Sequence, residues 1–354
     1  MKTPKSVAFA ERHRIGHRRW RPPPRKGRIK RGDTPVTICV ATLSVLPLDP
    51  DNLGQIVIGA SDRMLTADDV EFEPQQTKVF VVSRSITVMT AGQSAMQNEI
   101  LDNVMADVNR RIQLEPDNWW KVVDVADLYV RYYNQARLRR SEHALLAPLG
   151  LTHDTFVQRQ REMSPKLAMR LAEELIGFQA PGVEAIISGI DDTGAHIISV
   201  DDGKWTLQDV VGFAAIGAGY WHANSHLMLA GHTRFKLFPE ALLATYSAKK
   251  KAEVAPGVGE VTDMFLIGPQ KGTYSPVGEP LMKQLDDIFN DTHRAIQSVE
   301  SAGVQRITDH VVQTIKTAVE QAKDVAAAGQ VAPQAEPSGA EVADQTQEDK
   351  GGKS

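Results

Sequence analysis

The sequence predicts an α+β protein in which two antiparallel β-sheets stack face to face, with helices outside them and a helical extension at the C-terminal end. Three observations carry this. Strand-like runs arrive in blocks rather than singly between helices. Amphipathic helical stripes follow the blocks. The composition, 42% hydrophobic and 24% charged over 354 residues, is that of an ordinary globular chain.

The first block begins at Thr37. "TICVATLSV" (37–45) and "QIVIGASD" (55–62) are apolar and β-rich, and an extended turn, "LPLDPDNLG", joins them. The second run ends on Asp62. "TKVFVVS" (77–83) and "SITVMTAG" (85–92) follow at strand length. Met96, Ile100, Val104 and Val108 then recur at helical spacing, with Ser94 as the expected cap. A long helix is expected over 119–140 and another over 164–178, where Ser164 precedes Pro165. "EAIISGIDDTGAHIISVDDGKW" (184–205) reads as a hairpin turning near Asp192, Thr193 and Gly194. "DVVGFAAIGAG" (209–219) gives one more strand-like run. Helices are expected around 219–231 and 238–254, and "VTDMFLIG" (261–268) is a late strand. A polar-faced helical pattern spans 280–325, interrupted by Gly303. No internal repeat is evident.

The two ends differ from the body. Residues 1–36 carry 12 Lys and Arg against 2 Asp and Glu, whereas the remainder carries 28 against 42. Such a Pro-rich basic segment has no apolar periodicity and is expected to be disordered. Three readings of it stand together: a basic arm for acidic surfaces or nucleic acid, a propeptide, or an untranslated stretch if translation starts at Val36. From Ala326 the chain is rich in Ala, Gln, Glu and Gly and reads as a disordered tail. The expected boundaries are therefore 1–36, a domain at 37–268, a helical extension at 269–325 and a tail at 326–354. Cys39 is the only cysteine, so no intrachain disulfide forms, and a reducing cytoplasm fits. No apolar run approaches the ~18 residues of a membrane helix.

"GASDRMLTADD", "TKVFVV" and "VMTAGQS", taken in order, resemble the β-type subunits of the proteasome and their bacterial relatives, which are N-terminal-nucleophile hydrolases. The resemblance covers about 37–268 and is weaker in the second half, from the hairpin onward. It implies an αββα four-layer sandwich. It also implies a nucleophilic Thr37 heading the first strand, Asp62 ending the next, Lys78 on the following strand, and Gly92 at the start of the first long helix. Asp62 and Lys78 lie 16 residues apart, and Lys78 and Gly92 14, which matches the family without a gap. The same register lines the substrate cleft with Leu65, Thr66, Gln76, Phe80, Thr90, Ser94 and Asn98. That mix is neither acidic nor basic, so no marked preference for charged side chains is expected.

The chemistry needs these residue types. A free N-terminal threonine carries its nucleophile and its base together, since an α-amine titrates near ~8. A lysine ammonium beside the hydroxyl favours its anionic form, and a paired aspartate orients that lysine. A glycine N–H can meet the developing oxyanion, an interaction worth about 3–4 kcal/mol in other enzymes. The resemblance thus implies a cytoplasmic threonine-type endopeptidase acting on peptides or proteins, as a homo-oligomer, rings included. Two alternatives stay open: a small-molecule amidohydrolase using the same threonine, and a catalytically silent subunit. Ala218 stands in a "GAG" turn where active members carry serine. Glu253 and Asp263 lie out of register with the acid and serine those members carry before the last strand. Val36 replaces the glycine that precedes the nucleophile in self-processed members.

Other candidates are simpler to read as packing. Cys39 would be a nucleophile only if it headed the chain, and buried strand cysteines are commoner. His222 and His226 sit one helical turn apart, but the metalloprotease glutamate is missing. "GAGYWH" lacks the third glycine of a dinucleotide fingerprint. No metal or cofactor is expected, and neither membrane nor nucleic acid is an expected partner.

Overall fold

The computed structural model describes residues 37–49, 52–67, 70–74 and 77–328. The expectations for 1–36, for Gln76 and for 329–354 fall outside these residues. In chain order, β1 (Cys39–Asp49) and β2 (Asn52–Ser61) come first, then a short ribbon, β3 (Leu65–Ala67) and β4 (Val70–Phe72). β5 (Val79–Ser83) and β6 (Ile86–Gly92) lead into α1 (Ser94–Leu114) and α2 (Val122–Ser141). Two short helices follow, α3 (His153–Arg159) and α4 (Pro165–Ile176). Next are β7 (Val183–Asp191), β8 (Gly194–Asp201), β9 (Lys204–Leu207) and β10 (Phe213–Ile216). The chain ends with α5 (Tyr220–Leu229), α6 (Phe238–Ala252), β11 (Asp263–Ile267), β12 (Tyr274–Pro276) and α7 (Glu279–Ala328).

The strands make two five-stranded antiparallel sheets, ordered β10-β1-β2-β11-β12 and β5-β6-β7-β8-β9. Burial on both faces explains why apolar residues run consecutively from Ile38 to Ala41 at the start of β1. Cys39, Ala41 and Leu43 face a core shared with Val79, Met89, Ile186 and Ile197 of the second sheet. Ile38 and Val40 point the other way, into a core with Ala223 and Leu227 of α5 and Ala248 and Ala252 of α6. On the far face of the second sheet, Ile86, Val88 and Ile187 pack against Ile100 and Val104 of α1 and Val125 and Tyr129 of α2. Each fully buried aliphatic side chain contributes roughly 1.5–3 kcal/mol relative to exposure. The first two of these cores hold β1 between two apolar layers and so fix the position of Thr37 at its head.

Several boundaries differ from expectation for physical reasons. Gln93, not Ser94, caps α1, accepting from the Met96 N–H at 3.0 Å; Ser94 is the first helical residue. α2 starts at Val122 rather than 119, because the Asp191 carboxylate at the end of β7 accepts from the Val122 N–H at 2.9 Å. The β7–β8 turn falls where expected, at Asp192 and Thr193. The first sheet continues past Gly268 into β12. Gly303 does not interrupt α7: a helical glycine costs only about 1 kcal/mol, too little to break a helix of this length. α7 also runs on through Ala328, past the boundary expected at 326. Contacts divide the chain between Leu285 and Asp286, so most of α7 forms a unit of its own.

Candidate active site

Three segments far apart in sequence meet at Thr37. Regular pairing of β1 starts at Cys39, and Thr37 sits just ahead of it, 1% exposed. Its Oγ1 donates to Asp62 Oδ1 and accepts from Lys78 Nζ. Lys78 Nζ also donates to Asp62 Oδ1 at 2.8 Å. The Ile38 N–H donates to the same oxygen at 3.1 Å, and the Gly259 N–H to Oδ2 at 2.9 Å. Asp62 is fully buried, and these donors offset the cost of removing its charge from water. The strands explain the placement. Asp62 follows the last residue of β2, Ser61, which pairs with Cys39, and the Asp62 N–H donates to the Ile38 carbonyl at 3.2 Å. Lys78 immediately precedes β5.

The turn between β10 and α5 closes the other side. The Gly219 N–H donates to the Thr37 carbonyl at 3.3 Å. Gly217 has φ +89°, and a Cβ there would lie 2.4 Å from the Thr37 carbonyl oxygen, so the turn must be bare backbone at this point. Ala218 between them packs towards the α5–α6 core. The Gly217 N–H donates at 2.7 Å to Glu184, whose carboxyl is pushed above its usual range by burial. Glu184 pairs across β6–β7 with Ala91, which brings the end of β6 to the same corner.

Gly92 ends β6 with φ +109°, one residue before the α1 cap. A Cβ there would meet the Gly182 carbonyl oxygen at 2.2 Å. Among the described residues no hydrogen bond joins Gly92 to Thr37. The two strands touch two residues away on each, where Cys39 Sγ donates to the Thr90 carbonyl at 3.6 Å.

The residues expected to line a cleft separate into groups. Thr90 is buried, with Oγ1 bonded to Gln97 at 3.2 Å, while Ser94 and Asn98 are exposed on one face of α1. Phe80 is half-buried and packs into the core beneath α1 and α2. Leu65 and Thr66 lie in the β3–β4 ribbon, where Thr66 pairs with Glu71.

One residue escaped the sequence reading. Lys249 of α6 is fully buried, and its Nζ donates to Glu253 at 2.6 Å and to the carbonyls of Gly259 and Glu260, each at 2.9 Å. Burial pulls its ammonium below the usual lysine range. It thereby clamps the loop whose Gly259 N–H holds Asp62. Glu253 is bound by Lys249 and Lys250, and Asp263 by Arg63 at 2.5 and 2.8 Å. Neither acid is bonded to Thr37.

The competing candidates lose ground on geometry. The Cys39 thiol is pushed far above its ordinary value by burial, which keeps it un-ionised and inert. His222 is exposed, His226 is half-buried with its pKa lowered by burial, and no metal-binding cluster forms among the described residues. No described helix is long and apolar enough to cross a membrane. Compared with family models and with curated proteins, the sequence matches none.

Proposed function

We propose that this chain is a threonine-type amide hydrolase resembling proteasome β subunits, built on the αββα sandwich of the N-terminal-nucleophile class. One observation carries the reading: the Thr37 hydroxyl is shared by Lys78 Nζ and Asp62 Oδ1 in a buried site assembled from three separate segments. In this reading Thr37 Oγ1 attacks the scissile carbonyl carbon, and its proton passes to the Thr37 α-amine. Lys78 steadies the charge on the oxygen, and the Gly92 N–H meets the oxyanion. Collapse breaks the C–N bond. The amine leaves with the transferred proton, and an ester remains on Oγ1. Water then adds, releasing the acid and restoring the hydroxyl. The reaction requires removal of everything before Thr37, because an acylated nitrogen cannot take the proton. A peptide substrate, a reducing cytoplasm and a homo-oligomer belong to the same proposal.

The non-catalytic reading draws on a different observation. Ala218 offers no hydroxyl beside Thr37, and Thr37 is 1% exposed with chain ahead of it. Intact mass and an epoxyketone, which bonds both the hydroxyl and the free amine, separate the two. Protein isolated from cells is expected to begin at Thr37 and to take up one equivalent of the probe. Thr37→Ala removes the labelling, and Lys78→Met slows it by about 100-fold or more. A chain that retains residues before Thr37 and never labels rejects catalysis and leaves the silent subunit. A fluorogenic peptide panel then distinguishes peptidase from small-molecule amidohydrolase.

A further inference from the structure

We infer that α7 is a self-association helix: the unit beginning at Asp286 pairs with the same helix of a second copy along one apolar seam. The seam is exposed in the single chain. Ile296, Val304, Ile307, Val311 and Ile315 are between 44% and 67% exposed and lie within about 100° of one another around the helix, with Glu300 the one charged residue among them. All five apolar residues are β-branched, the aliphatic type least suited to an exposed helix, because the neighbouring turn restricts their χ1 freedom. A solvated helix gains nothing from them, whereas a helix–helix seam takes their apolar surface out of water.

Their spacing describes a seam rather than a scatter. Ile296, Ile307 and Ala318 recur at intervals of 11 residues, as do Val304 and Ile315. Thr292, Gly303 and Thr314 form a parallel row of small residues with the same 11-residue interval. An 11-residue repeat is three turns at about 3.67 residues per turn, close enough to the α-helical period to hold a row on one face for many turns. Large residues beside small ones supply the knobs and holes that helix pairs interlock. This gives Gly303 a role that its propensity does not: it lowers one side of the seam where a partner backbone can approach.

The chemistry of the helix selects the occupant. The opposite face mixes the acids Asp291, Asp309 and Glu320 with the bases Arg294, Lys316 and Lys323. A membrane-surface helix has a predominantly basic polar face, so a lipid surface does not fit. These charges are turned away from the seam, so they stay solvated and do not oppose the pairing of identical helices. The size is sufficient as well. From Ile288 to Val325 the helix rises about 56 Å, and a contact face ~10 Å wide gives roughly 560 Å² per helix. Two copies then bury about 1,100 Å², above the ~1,000 Å² that separates specific association from chance contact.

The test uses the full chain and the fact that its one native thiol, Cys39, is fully buried. Single substitutions Ile296→Cys, Ile307→Cys and Ile315→Cys place a thiol on the seam; Asp309→Cys and Glu320→Cys place one on the opposite face. Under mild oxidation at least one seam variant is expected to form disulfide-linked dimers ten-fold or more faster than either opposite-face variant. Linking at all three positions reports parallel helices, and linking at one reports antiparallel helices crossing there; both support the pairing. Val311→Asp, added to the fastest seam variant, should slow linking at least ten-fold while circular dichroism keeps the helix. Equal rates on the two faces, or seam variants that remain unlinked, overturn the inference and leave the face to a different partner.

Discussion

Replacing Lys249 by methionine keeps the length of the side chain and removes the ammonium. Three bonds are lost at a site with no solvent to replace them: one to Glu253 and two to the carbonyls of Gly259 and Glu260. Glu253 is not stranded, because Lys250 Nζ remains 2.8 Å from its other oxygen. The two carbonyls are stranded, at about 1–3 kcal/mol each. Burial already disfavours the Lys249 charge, so removing it returns part of that loss. The net is a destabilisation of roughly 2–4 kcal/mol, or on the order of 5–12 °C in Tm for a domain of this size. Urea and thermal unfolding at fixed protein concentration measure it. Lys250→Met is the control: it removes the same charge one residue away, from a pair nearer the surface, and should cost under ~1 kcal/mol. Because the clamped loop also presents the Gly259 N–H to Asp62, epoxyketone labelling of Lys249→Met should slow relative to Lys250→Met. Equal stability and equal labelling in the two variants would refute the clamp.

Two other substitutions probe the glycine turn and the second sheet. Gly217→Ala forces a Cβ to 2.4 Å from the Thr37 carbonyl at φ +89°, so it should cost at least about 1–3 kcal/mol in urea titration and disturb labelling at Thr37. His196 is held above its ordinary value chiefly by its hydrogen bond with Asp209 at 2.6 Å. A raised folded pKa gives stability that is complete below the unfolded value near 6.5 and fades as pH rises through the folded one. The stability gap between the wild type and His196→Gln should therefore be wider at pH 5.5 than at pH 8.5 in urea titrations, and a gap that widens with pH contradicts the assignment.

The meeting of Thr37, Asp62 and Lys78 was anticipated through the resemblance, whose 16-residue interval from Asp62 to Lys78 this chain keeps, and an acid closing an apolar strand is a visible anomaly. Lys249 was not. It stands first in a run of three lysines, which reads as a solvated face, and its burial is decided by a loop ten residues away folding over it. The choice of Gln93 over Ser94 as cap could not be read either, since both are polar and only the backbone angle at the end of β6 separates them. β12 and the β3–β4 ribbon are three-residue strands, too short for alternation to register, and β9 is exposed along its whole length. The start of α2 depended on Asp191, 69 residues downstream of the amide it receives. Local pattern thus located the elements that bury a regular stripe, while caps, clamps and short edge strands awaited tertiary partners.

The described bonds that seat Thr37 run through its hydroxyl, its carbonyl and the amide of the next residue. Among the described residues these bonds lie on the downstream side of the Thr37 backbone nitrogen. If the bond before Thr37 is cut, as the proposed reaction requires, these contacts remain, and the head of the first strand keeps the partners that hold it in register.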